Sequence, residues 1–350
     1  MDGPANLTGG LSGSNDLLRD IRGLIVSARA ALASQVNEQL TLLYWHVGRR
    51  IRDELLGPDR ADYGRQIVSV LGRELSLEFG NGFSDKSLWH MIRFAEVFSD
   101  QKILSALRRQ LSWTHFKKLV YIEDPLKRDF YAEMCRIERW STRTLERKMC
   151  GMLYERTALS RKPAELIREE LDALRLEDRM TPDLVFRDPY LLDFLGLRSS
   201  FQEKDLESAI IRDLEQFILE LGAGFAFVAR QKRISIDDDD HYLDLLFFHR
   251  GLRRLVAIEL KMGEFRAADK GQMELYLRWL QKYETQPGEE PPLGLILCAG
   301  KKRETIQLLE LGKANIRVAS YWLDALPRQL LEQKLRDAVT LARELTDRLD

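Results

Sequence analysis

The run LVAIELK, residues 255–261, restricts the fold of this chain more than any other stretch. It is apolar enough to be a strand buried on both faces, yet it carries Glu259 and Lys261, and charges in such a strand are rarely idle. RGL joins the preceding run YLDLLFFH to RRLVAIELK, and Gly251 in that short turn is free to take positive φ, so the two runs predict an antiparallel hairpin. The pleat puts Glu259 and Lys261 on one face and Ile258 and Leu260 on the other. Antiparallel pairing sets Asp244 roughly across the ladder from Glu259, within reach of cross-strand neighbours.

The hydrophobic period changes once along the chain. From Asp16 to about residue 180 apolar residues recur at helical spacing, as in Leu40, Leu43, Tyr44 and Val47 or Ile67, Val70, Leu71 and Leu75. Ser84, Ser112 and Ser141 stand where helix N-caps are needed. Residues 1–15 read as a flexible N-terminus, 16–160 as an all-helical domain, 161–200 as a connecting segment with Pro182 and Pro189, and 201–350 as a mixed domain. The mixed part reads helix 203–221, strands 225–236, 241–249 and 253–261, helix 266–283, strand 293–298, helix 301–312, strand 315–320 and helix 323–349. The expectation is an α N-terminal domain followed by an α/β C-terminal domain. A length of 350 residues suits two domains.

Charge and cysteine content narrow the function classes. Lys and Arg total 54 against 55 Asp and Glu, a net charge of −1, so a polyanionic or membrane partner must be met by a local patch. The three cysteines, Cys135, Cys150 and Cys298, form no CxxC pair, which argues against a zinc cluster or a disulfide framework and predicts a reducing, cytoplasmic setting. The opening residues MDGPANLTGGLSGSND lack a charged and apolar leader pattern, and no long uncharged apolar run occurs, so no membrane association is expected.

Two carboxylates on adjacent strands suit a hard cation such as Mg²⁺, which takes oxygen ligands and keeps waters and substrate phosphate. Lys261 beside it could stabilise charge on a phosphorane-like oxygen or orient the attacking water. A bare ExK pair is more often a solvated strand face, and it is the apolar context that shifts the reading here. On helix 203–221, Glu207 falls inside the apolar arc with Ile211, Leu214 and Ile218, whereas Glu215 and Glu220 fall outside it. Glu207 is then either a member of a metal site or a snorkelling surface acid. Helix 266–283 lines up Gln272, Tyr276, Trp279 and Tyr283, which reads as core packing with polar tips, or as a support for the lysine from Gln272.

Asp244 followed by Glu259-Leu260-Lys261, with an acid on the preceding helix and Gln272-xxx-Tyr276 after it, resembles the PD-(D/E)XK nuclease superfamily and the QxxxY element of its RecB-like branch. FGNGFSDKSLWHMIRFAEVF, LSWTHFKKLV, RWSTRTLE and the stretch from Tyr242 to Glu284 extend the resemblance to the bacterial YhcG-type nucleases, over about residues 17–345. The resemblance implies a restriction-endonuclease-like core of order αβββαβ with a mixed sheet, and Mg²⁺- or Mn²⁺-dependent phosphodiester hydrolysis. It also implies Asp244 and Glu259 as metal ligands, the Leu260 carbonyl available as a third, Glu207 as the helix acid and Lys261 as the catalytic cation. Tyr242 and Leu243 stand before Asp244, where the superfamily's name has a proline.

Residues 101–150 hold twelve Lys and Arg against six Asp and Glu, with Lys117, Lys118, Arg136, Arg139, Arg143, Arg147 and Lys148 among Trp113, Phe116 and Trp140. Such a mixture suits a phosphate backbone, although each aromatic taken singly fits a bundle core equally well. Helix 63–79, the GNG turn and helix 84–98 have helix-turn-helix proportions, with Lys86, Trp89, His90 and Arg93 facing outward. Ordinary helical hairpins use the same turn chemistry. The five histidines lack ligand spacing, and DDDD at 237–240 reads as a solvated hairpin tip. The expectation is a metal-dependent nuclease acting on double-stranded DNA, bound in part through Lys86, Arg93, Lys117, Lys118, Arg143 and Arg147. Cutting both strands would favour a homodimer. The alternatives are RNA as substrate, or a nucleic-acid-binding or protein-interaction module that keeps the fold without cleaving.

Overall fold

In the computed structural model, residues 36–53, 61–99, 107, 109–157, 162–178, 180–197, 202–222, 224–237, 239–323 and 333 are described; the segment 1–15 and the helix expected beyond 323 lie outside them. The chain forms two compact units, Met1–Leu145 and Glu146–Asp350.

In the first unit, helices α1 (36–53), α2 (Ala61–Phe79) and α3 (Asp85–Val97) share a core of Tyr44, Ile51, Val68, Leu88, Met91 and Ile92. α1 and α3 approach so closely that a Cβ on Gly48 would lie 1.9 Å from the Met91 carbonyl oxygen, so only glycine fits there. Gly80 at φ 86 and a single 3-10 turn at Asn81–Phe83 reverse the chain between α2 and α3. Then come α4 (Trp113–Leu119), α5 (Pro125–Glu138) and α6 (Thr142–Cys150). Asp124 caps α5 by accepting the Leu126 and Lys127 N–H groups, and Ser141 accepts the Thr144 N–H at 3.1 Å. Ser84 departs from its expected role, because its Oγ pairs with the Ser87 hydroxyl at 3.0 Å and makes no cap bond.

The second unit is a six-stranded mixed sheet between helices. Its strands are β1 (Tyr190–Leu191), β2 (Phe225–Ile236), β3 (Asp239–His249), β4 (Arg254–Glu264), β5 (Leu293–Gly300) and β6 (Ile316–Trp322), in the order β1-β6-β5-β4-β3-β2. β2, β3 and β4 meander antiparallel, and β4, β5, β6 and β1 run parallel. After α6, the helices longer than one turn are α7 (Ala164–Glu177), α8 (Glu203–Arg212), α9 (Leu214–Leu221), α10 (Ala267–Tyr283) and α11 (Arg303–Leu308). On one face Leu206, Ala209, Ile210 and Phe217 pack on Leu245, Phe247, Val256, Ile258 and Leu260. On the other, Met273, Tyr276, Leu277 and Leu280 of α10 pack on Leu246, Leu255, Ala257 and Ile296.

Three details depart from the sequence expectation. The helix read over 203–221 breaks at Asp213 (φ −108, ψ 35), which rotates its second half and brings Glu220 inside. There Glu220 receives Arg156 and the Leu191 N–H, the latter at 2.9 Å, and so anchors β1, a strand too short to carry any periodicity. In the β3–β4 turn the left-handed residue is Arg253 (φ 52) rather than Gly251, where a Cβ would come within 3.3 Å of the His249 ring.

Candidate active site

The β3–β4 ladder pairs Leu245 with Ile258, so Asp244 and Glu259 are the next facing positions, and there the backbone pairing stops. Side chains take over. The Leu260 N–H donates to Asp244 Oδ2 at 2.9 Å, and the Asp244 N–H points to Glu259 Oε1 at 3.4 Å. The interruption turns β3 over: Leu243 faces the α10 core and Leu245 the α8 core, although regular pleating would put both on one side. β4 itself alternates as expected, with Ile258 and Leu260 in the α8 core.

Lys261 Nζ donates to Glu259 Oε2 at 3.1 Å and stands 3.7 Å from Glu203 Oε1 at the start of α8. Asp244, Glu259 and Lys261 therefore meet at one end of the hairpin. Glu207 is buried, as its helical position predicts, and its oxygens receive Arg230 Nε and Gln231 Nε2. Gln231 Nε2 also donates to Asp244 Oδ1 at 3.0 Å, so Glu207 joins the strand acids through an amide. Behind the lysine, Gln272 Nε2 donates to the Tyr276 hydroxyl at 2.7 Å, and the Tyr321 hydroxyl donates to the Lys261 carbonyl at 3.3 Å.

Burial dominates the electrostatics. It pushes Glu259 up to about 7, with the Asp244 charge adding to the rise and Lys261 opposing it. Burial also raises Asp244, against the Leu260 N–H, Lys261 and Gln231, which favour its charged form. For Lys261 burial works downward, but Glu259, Glu203 and Asp244 together outweigh it and the ammonium is held above its ordinary value. Two carboxylates that resist ionising side by side are relieved by a cation. Among the described residues no three His, Cys, Asp or Glu side chains stand close enough to cage an ion. The expected convergence is thus a two-carboxylate pair with Glu207 at one remove, because Arg230 and Gln231 occupy its oxygens. Hard oxygens from one or two carboxylates, completed by waters and phosphate, are what Mg²⁺ accepts, so the donor set fits it.

Sequence reading missed Glu203, Gln231 and Tyr321. The spacing Glu203-xxx-Glu207 was a signal available for the first, since i and i+4 share a helix face. Nothing in the sequence marked the other two.

In the first unit Lys86, Arg93 and Trp89 are exposed on α3, Arg143 is exposed on α6, and Lys117 and Lys118 are half-buried on α4. His90 Nδ1 lies 2.6 Å from the Tyr121 hydroxyl, and burial together with the charges of Lys117 and Lys86 lowers its pKa. Trp113 packs between Tyr44 and Phe94, and Trp140 is buried, so both are core residues. Arg147 is exposed in the second unit, whereas Lys148 is buried and donates to the Leu219 carbonyl at 2.8 Å.

Residues 183–338 match the family described as YhcG PDDEXK nuclease domain, and residues 20–156 match the DUF1016 N-terminal domain. The chain is 35% identical to "Putative nuclease YhcG" of Escherichia coli (strain K12), over 91% of this chain and 92% of that one. Among solved structures, a repair endonuclease from Pyrococcus abyssi is 18% identical over 35% of this chain and 49% of that one, with a TM-score of 0.25. A structure titled as an EndoMS complex with double-stranded DNA is 16% identical over 37% and 49%, with a TM-score of 0.28.

Proposed function

The chain belongs to the YhcG nuclease family, and from that membership and the meeting of Asp244, Glu259 and Lys261 we propose that it hydrolyses phosphodiester bonds of DNA with a divalent cation. The observation that carries the reading is the buried carboxylate of Glu259, raised to about 7 beside the half-buried Asp244, with a charged lysine 3.1 Å from it. Structural ion pairs are usually matched charge for charge. Here acids outnumber the cation at the strand end, which suits a site that takes a further positive charge.

Asp244 and Glu259 would hold Mg²⁺ or Mn²⁺, with the Leu260 carbonyl as a further oxygen, and the bound ion would supply an acidified water and neutralise phosphate charge. Lys261 keeps its proton at neutral pH, and its ammonium is placed to stabilise negative charge growing on the phosphoryl oxygens. Gln272 holds the Tyr276 hydroxyl, which lies within the electrostatic reach of Lys261, Glu259 and Asp244. Glu207 stays with Arg230 and Gln231 as a support for Asp244. Lys86, Arg93, Lys117 and Lys118 of the first unit, with Arg143 and Arg147 of α6, supply phosphate contacts that hold a duplex without reading its sequence.

The test is digestion of plasmid and linear DNA with Mg²⁺ or Mn²⁺. Loss of cleavage in Asp244→Asn and Lys261→Ala supports the reading, and unchanged cleavage in both removes it. A wild-type chain that binds DNA, takes up no metal by calorimetry and cuts nothing would instead be a binding module on a nuclease fold.

A further inference from the structure

We infer that Gln231 is a positioning residue for cleavage, a neutral clamp that fixes the Asp244 carboxylate by tying it to Glu207; the inference rests on the nuclease reading above. Gln231 sits inside β2 at φ 45, the left-handed region that a residue with a Cβ enters only at a cost. Its neighbours are regularly paired, Arg230 with Leu245 and Lys232 with Leu243, so Gln231 faces Asp244, and the ladder skips both. Strain of this kind persists where the surroundings over-determine it, and it gathers at sites that use it.

The strained backbone serves the side chain. The single amide nitrogen carries two N–H groups and donates both, one to Glu207 Oε2 at 3.0 Å and one to Asp244 Oδ1 at 3.0 Å. Asp244 Oδ2 accepts the Leu260 N–H at 2.9 Å, so each oxygen of this acid has a donor and the carboxylate cannot rotate about its bond. An amide achieves this without adding charge. A lysine or arginine at 231 would partly neutralise Asp244 and compete with an incoming cation, whereas Arg230 next door is directed to Glu207 instead. A partner that orients a ligating group without touching the ion changes affinity or rate by about 10–100-fold when removed.

Three variants of the full chain separate the amide from the backbone strain. Gln231→Gly removes the side chain and relieves the strain, Gln231→Ala removes the side chain and keeps the strain, and Gln231→Asn tolerates the left-handed backbone but is too short to bridge both acids. Mg²⁺ binding by calorimetry, single-turnover cleavage, KM for DNA and Tm are measured on each. Expected are a higher Tm for glycine than for alanine, kcat lower by about 10–100-fold in all three with KM for DNA little changed, and weaker Mg²⁺ binding. Mg²⁺ affinity and kcat within about threefold of wild type in Gln231→Gly would overturn the clamp, well short of the loss expected for an orienting partner. A loss that tracks Tm while Mg²⁺ affinity holds would overturn it too, by making the role one of folding. If the wild-type chain binds Mg²⁺ yet cuts nothing, the nuclease reading fails, and the glycine-to-wild-type affinity ratio still decides the clamp. If it binds neither Mg²⁺ nor Mn²⁺, both fall.

Discussion

Glu203 stands 3.7 Å from Lys261, so an acid from the first turn of α8 joins the strand partner Glu259 in holding the ammonium of β4 charged. Burial raises Glu203 in turn, while Lys261 draws it down and Asp244 pushes it up. Glu203→Gln removes one of the charges that support the ammonium. The alkaline limb of the cleavage pH–rate profile should move to lower pH, with kcat near neutrality within about tenfold of wild type. An alkaline limb that stays put would show that Glu203 does not govern this lysine.

Lys261→Ala should lower kcat by about 10²–10³-fold, the usual cost of removing a group that stabilises transition-state charge. Lys261→Arg should recover only part of it, because the planar guanidinium cannot present a compact ammonium beside Glu259. Single-turnover kinetics at saturating metal check both.

Glu259 gives the chain a stability that depends on pH and metal. Its folded value of about 7 lies above its ordinary carboxylate range, so its contribution is fully present below that range and is lost as pH rises through about 7. In EDTA, denaturation midpoints should fall between about pH 5 and pH 8 for the wild type, and Glu259→Gln should flatten the fall. Mg²⁺ should restore the wild type chiefly at the upper end, where the carboxylate is ionised. Equal Mg²⁺ protection at both ends of the range would contradict this.

Burial lowers the pKa of His90, and the charges of Lys117 and Lys86 add to the fall, so two lysines of α3 and α4 stand together beside it. Replacing each with Gln should weaken binding of unrelated duplexes equally and reduce the slope of log affinity against log salt by about 0.9 per lost phosphate contact. Anisotropy titrations in EDTA read this without cleavage.

Glu220 is the control that keeps stability apart from chemistry. Burial alone would raise its pKa, but Arg156 and Arg187 overcome that and hold the carboxylate charged and paired. Glu220→Ala removes the carboxylate shared by two buried guanidinium groups and should cost about 3–5 kcal/mol in urea unfolding. Mg²⁺ affinity at 25 °C, where the variant remains folded, should not change.

The period-two reading of β4 located Glu259 and Lys261 on one face because alternation depends on local sequence alone, and the neighbouring run fixed the hairpin that brings Asp244 opposite. Glu207 was legible for a similar reason, since it lies before the break at Asp213 and its arc is undisturbed. Glu220 lies after that break, and no propensity announced it. β1 escaped notice because two residues pairing with a strand far along the chain carry no period. Gln231 was invisible in principle. Its importance comes from a backbone angle and a register that arise only once β2 and β3 have paired.

Where Asp244 meets Glu259, two main-chain amides of the sheet are satisfied by acidic side chains instead of carbonyls. Architecture and chemistry share those atoms. An alanine at 244 would delete a charge and also unfasten a seam, so a dead enzyme carrying it says little about which loss mattered. Asparagine, which keeps an oxygen for the Leu260 amide, is the substitution that tells a missing ligand from an opened strand.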